Sequence, residues 1–157
     1  MIVLYVEEGV IMDNKEMVIS IEYQLRRIAD RIKIQGRSIL QSYQLSNQQF
    51  IAIQWVGEGP VTVGQLASNM GLAVSTTSEM VDQLILKNCV RREKDLNDKR
   101  KVNLLLEDKG RAIIKEVITH RQNYLNGLMS GMSQDDKEAL QQSVATLYEA
   151  IGEQHDE

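Results

Sequence analysis

Residues Val74–Leu106, VSTTSEMVDQLILKNCVRREKDLNDKRKVNLLL, change character part-way along. Up to Asn88 the pattern is helical. On a wheel of about 100° per residue, Val74, Thr77, Val81 and Leu84 gather on one side, the core side, and Ser75, Thr76, Glu79 and Gln83 gather opposite. Asn88 suits the left-handed position that closes a helix. From Val90 the pattern becomes two short strands, Val90 to Glu93 and Val102 to Leu106, around a charged tip. A helix followed at once by a basic hairpin is the winged helix-turn-helix arrangement, with the helix directed to a major groove and the hairpin beside it.

The charge distribution supports a polyanionic partner, although the whole chain carries a formal −4. Between Lys87 and Lys101 seven basic residues face three acidic ones, so this segment alone is net positive by four. From Ser133 to Glu157 seven acids face one lysine, and the excess of acid is concentrated there. What attracts DNA is the local field, which the hairpin has whatever the total. The competing reading of the hairpin is an ordinary solvated charged surface.

At 157 residues with 43% hydrophobic content the chain fits one domain with an adequate core. Aromatics make up only 4%, so aliphatic helix packing must supply most of that core. One cysteine, Cys89, excludes an internal disulfide framework and suits a reducing cytoplasm. No apolar run is long enough to span a bilayer, so no membrane partner is expected. The opening MIVLYVEEGVI lacks a basic leader and a small-residue cleavage site. Residues 1–11 read either as a short strand-like arm or as an upstream extension before Met12.

Outward from the central stretch, the pattern is helical on both sides. Asp13 and Glu16 have capping-box spacing, and Met17, Ile21, Leu25, Ile28 and Ile32 then recur along a long helix predicted to run to about Tyr43. Ser46 and Gln49 repeat the capping pattern before Phe50, Ile53 and Val56, and Gly57, Gly59 and Pro60 end that helix. Thr62 and Gln65 open a short third helix that stops at Gly71. After Glu107 a long helix carries Ile113, Ile114, Val117, Ile118, Leu125, Leu128, Met129 and Met132, an apolar face too wide for packing on one side only. Ser133 caps a last helix bearing Leu140, Val144, Leu147 and Ile151. The expected fold class is mainly α with a small β-hairpin wing. Residues 1–45 and 108–157 would supply dimerisation helices and residues 46–107 the DNA-binding module. A homodimer is the economical way to cover the apolar surface; a monomer whose terminal helices cover each other is the alternative.

This order, and above all MGLAVSTTSEMVDQLILKNCVRREKDLNDKRKVNLLLEDKG from Met70 to Gly110, resembles the MarR family of bacterial transcriptional regulators. The most specific element is DKR at Asp98–Arg100, after Arg92 and before LLLEDKG. The resemblance implies a homodimer on a pseudo-palindromic DNA operator, often repressing a nearby gene and often released by a small-molecule effector. It also implies that Arg100 enters the minor groove while Asp98 holds it. That is physically reasonable, because a narrow minor groove concentrates negative potential and a carboxylate can orient a guanidinium. Lys94, Lys99 and Lys101 would add phosphate contacts, and Arg92 would mainly brace the wing. Glu79 stands where arginine is common. It would either accept from a cytosine amino group or, the reading we favour, pair with a basic neighbour. An effector would bind near the junction of the first, second and post-wing helices, where Ile51 and Trp55 share a face distinct from that of Phe50, Ile53 and Val56.

Other chemistry has little foothold. Cys89 reads as a small buried hydrophobe and His120 as an interface or core histidine. With His155 in the tail and no clustered Cys or His, no metal or other cofactor is expected. There is no Gly-rich phosphate loop, nucleophile elbow or paired His and Glu motif, so no enzyme is expected. The remaining alternative is a winged-helix module that binds protein instead of DNA.

Overall fold

A computed structural model describes residues 13–152; the arm or extension expected at residues 1–11, and His155, lie outside them. The chain runs α1 (Asn14–Ile34), α2 (Arg37–Ser42), α3 (Asn47–Gly57), α4 (Val63–Met70), α5 (Val74–Leu86), β1 (Val90–Lys94), β2 (Val102–Leu106), α6 (Asp108–Met129) and α7 (Gln134–Gly152).

The caps read from sequence set the starts of the short helices. Ser46 with Gln49, and Thr62 with Gln65, form complete capping boxes in which each side chain bonds the other residue's backbone N–H. Asp13 completes only half of one, accepting from the Glu16 N–H at 2.8 Å. Gly71 (φ +64°) and Asn88 (φ +58°) take the left-handed positions after α4 and α5. The long first helix expected to reach Tyr43 is instead broken at Gln35–Gly36. A Cβ on Gly36 would lie 2.6 Å from Val117 Cγ1, so the break lets the α1–α2 corner press onto α6.

One core joins the winged module to α6. Phe50, Ile53, Leu66, Val81, Leu84, Leu104, Ile113 and Val117 are fully buried, and Cys89 and Val90 join them at the start of the wing. Burial pushes the Cys89 thiol pKa up, as expected of a packed hydrophobe. The hairpin pairs Val90 with Leu106 through to Lys94 with Val102. A single antiparallel bridge adds Val61 beside Leu104, with the Leu104 N–H 2.7 Å from the Val61 carbonyl. Gly110 seats the first turn of α6 on this sheet: its missing Cβ would fall 2.5 Å from the Cys89 carbonyl oxygen.

The outer helices are different. Neither α1 nor α7 contains a buried residue, so within one chain they do not cover each other as the monomer alternative requires. His120 is exposed on α6, which removes its reading as a core histidine. No helix among the described residues is long and apolar enough to cross a membrane.

Candidate nucleic-acid interface

Helix α5 presents the divided wheel expected of it, with one exception. Thr77, Val81 and Leu84 are fully buried and Met80 nearly so, whereas Val74 is 58% exposed. Val74 is the first helical residue, with no preceding turn to pack against, so its wheel position does not dictate burial. The Thr77 hydroxyl satisfies itself by donating to the Ala73 carbonyl at 3.0 Å, which lets a polar side chain sit in the core. Ser75, Thr76, Glu79 and Gln83 all face outward. Glu79 forms no ion pair among the described residues, contrary to the pairing we favoured from sequence. The carboxylate of α5 that does pair is Asp82.

Gln83 is held in place by a residue that the sequence reading assigned only to a cap. Gln49 is 7% exposed, and its Nε2 donates to Gln83 Oε1 at 2.8 Å while its Oε1 accepts from the Ser46 N–H. One buried amide therefore closes the start of α3 and fixes the outer face of α5.

The wing sorts its cations by partner. Arg91 bridges Glu93 and Glu107 at 3.1 and 3.2 Å, and these carboxylates hold its guanidinium pKa above the ordinary value. Arg92 Nη1 reaches Asp82 Oδ1 at 2.8 Å, tying β1 to α5 and so bracing the wing as expected. Lys94, Lys99, Arg100 and Lys101 have no ion-pair partner among the described residues, and all but half-buried Lys101 are exposed. The positive charge left uncompensated is thus gathered at the far end of the hairpin.

The tip is shaped by an aspartate that sequence reasoning passed over. Asp95 Oδ1 accepts from the N–H groups of Asn97 and Asp98 at 2.9 and 3.0 Å, and its Oδ2 accepts from Asn103 Nδ2 at 2.9 Å. These bonds hold its carboxyl pKa below the usual aspartate range. The signal was present in DLND, since Asp favours bonding a backbone N–H two residues on. Asp98 repeats the device on the Arg100 N–H at 3.0 Å. The expected grip of Asp98 on the Arg100 guanidinium is therefore replaced by a grip on its backbone, which aims the residue while leaving the side chain free.

Ile51 and Trp55 occupy the outer side of α3, exposed and half-buried respectively, with Trp55 packed against the core. Neither of two clefts along α6 is lined by them. One, of about 420 Å³, lies between Gln54, Glu58, Leu106, Arg111 and Ile118, and the other, of about 560 Å³, between Ile39 and His120.

The sequence pattern of the MarR family matches residues 45–102, from just before α3 to the first residue of β2. The curated HTH-type transcriptional regulator YsmB of Bacillus subtilis is 39% identical over 133 residues, covering 84% of this chain and 91% of the relative. The chain belongs to the MarR family. A MarR family protein from Bacillus stearothermophilus has the same fold, with a TM-score of 0.79 and 34% identity over 90% of this chain and 99% of the other. A MepR variant of S. aureus, bound to an oligodeoxyribonucleotide, shares the fold at a TM-score of 0.61 and 18% identity, covering 83% and 96% of the two chains. As a MarR family member the chain is a transcriptional regulator, and the winged helix-turn-helix is its characteristic module.

Proposed function

We propose that this protein acts in the cytoplasm as a homodimeric repressor on a pseudo-palindromic operator, with α5 in the major groove and the wing in the adjacent minor groove. The observation that carries this is the sorting of cations in the wing. Arg91 and Arg92 are consumed within the protein, whereas Lys94, Lys99, Arg100 and Lys101 have no ion-pair partner among the described residues and stand at the far end of the hairpin whose first strand Arg92 ties to α5. Unpaired cations can replace condensed counterions on a phosphate backbone, and a guanidinium gains most in a narrow A·T groove. Ser75, Thr76, Glu79 and Gln83 are the candidate base and phosphate contacts. With no ion pair at Glu79 among the described residues, acceptance from a cytosine amino group becomes its favoured role. The DNA-bound MepR relative supports this use of the fold.

The division into dimerisation helices at 1–45 and 108–157 and a DNA-binding module at 46–107 rests on the unburied α1 and α7. Their exposed residues include Met17, Ile21, Leu25 and Ile28 on α1 and Val144, Leu147 and Ile151 on α7, and Leu125 and Leu128 extend the surface along α6. A second copy covers such a face by two-fold symmetry. Release by a small-molecule effector near Ile51 and Trp55 remains part of the proposal. Trp55 fluorescence reports on it directly, because Trp55 is the only tryptophan.

Arg100→Ala tests the wing. It should weaken operator binding and lower the slope of affinity against salt by about 1, with the largest loss on A·T-rich flanks. Unchanged affinity and slope in an intact dimer would contradict minor-groove insertion and favour a protein-binding module.

A further inference from the structure

A second concentration of positive charge lies outside the winged module. From Arg26 to Arg37 five basic residues face only Asp30, an excess equal to that of the wing. Arg26 is taken by Glu22 at 2.8 Å. Lys33 and Arg37, on either side of the α1–α2 break, are exposed and have no ion-pair partner among the described residues, Asp30 one turn earlier included. They line one cleft of about 470 Å³, whose far wall is Leu45, Ser46 and Asn47 at the start of α3.

That wall is continuous with the end of α5. Lys87, just past α5, donates its ammonium to the Gln44 carbonyl, and its Nζ lies 3.5 Å from Gln49 Oε1. Gln49 in turn holds Gln83 at 2.8 Å. The stretch Gln44–Gln49 therefore meets Lys87 and Gln83, at the end of α5, on one side and the cleft lined by Lys33 and Arg37 on the other. A helix lying in a major groove about 12 Å wide has a phosphate backbone along each flank. Cations one loop away from such a helix are placed to meet that backbone, and DNA binding gains from every phosphate neutralised.

We propose that Lys33 and Arg37 form an accessory phosphate clamp that extends the DNA contact beyond α5 and the wing onto the α1–α2 corner. It rests on the DNA-binding reading above and adds a sequence-independent contact from outside the winged module. Because both residues touch only phosphate, they contribute equally to operator and scrambled DNA. They also connect the bound backbone to the end of α1, the helix whose apolar face awaits a second copy.

The test uses the full-length chain and a duplex obtained by selection with the unaltered protein. Lys33→Gln combined with Arg37→Gln should lower the salt slope by about 1.8, since each phosphate contact contributes about 0.9. Affinity near 0.15 M salt should fall roughly tenfold, by the same factor for operator and scrambled duplexes. Lys33→Arg with Arg37→Lys should restore both quantities, because a phosphate clamp requires charge and not one particular side chain. The substituted residues are exposed, so the melting temperature and oligomeric state should match the unaltered chain. An unchanged slope in the folded Gln variant overturns the clamp while leaving DNA binding by α5 and the wing standing. A loss confined to the operator overturns it also, by showing base reading. If the unaltered chain enriches no duplex at all, the clamp falls together with the DNA-binding reading.

Discussion

Asp95 organises the wing through three accepted hydrogen bonds, and its depressed pKa gives a pH signature with a definite sign. A carboxyl whose folded-state pKa lies below its unfolded value stabilises the fold above the unfolded pKa, and that contribution is lost as pH falls through the folded pKa. The Asn97 and Asp98 amide shifts and the Asn103 side-chain amide should therefore titrate together, with a midpoint below the ordinary aspartate range, as the tip loosens in acid. Asp95→Ala should abolish that titration, speed amide exchange at Asn97 and Asp98, and weaken operator binding with little change in overall stability, because Asp95 lies outside the hydrophobic core. Separate midpoints for the three groups would show that they do not share one carboxylate. The residue scale is also where the sequence was hardest to read. Glu79 and Asp82 lie on one helix, three residues apart, and only placement of the wing decides which of them meets Arg92. Spacing likewise could not show whether Asp98 holds its neighbour's guanidinium or its N–H.

At the scale of elements, the corner at Gly36 sets how α1 and α2 meet α6. Gly36→Ala would drive a methyl into Val117 Cγ1, and overpacking of this kind costs about 1–3 kcal/mol. Urea unfolding should show that loss, and Val117→Ala should recover part of it in a double-mutant cycle. Additive losses would mean that the corner relaxes without pressing on α6. This break was not legible from periodicity, because the apolar spacing continues from Ile32 to Leu40 across it. Helix starts were legible, since a Ser or Thr with a Gln three residues on is a local device that needs no tertiary partner. So were the two strands of the hairpin, read from a run rich in apolar residues bounded by charge. The bridge from Val61 to Leu104 was not, because an isolated residue beside Pro60 carries no strand pattern.

For the whole molecule, the unburied helices and the segregated charge belong together. Exposed apolar residues run along α1, α6 and α7, where the proposed second copy would cover them, and the basic wing tip is the surface proposed for DNA. Leu25→Glu with Ile28→Glu should place like charges in the proposed dimer seam. Sedimentation should then show a monomer at concentrations where the unaltered chain is dimeric, and operator affinity should drop because one copy reads only a half-site. A variant still dimeric would move the interface away from α1. The proposed two-fold dimer would set the form of the operator, since its paired recognition helices would enter successive major grooves about 10 bp apart. Selection from random-sequence duplexes with the full-length chain tests this most directly. An inverted repeat with half-sites about one helical turn apart is the predicted result; an asymmetric site bound by one subunit, or no enrichment by a folded dimer, would contradict it.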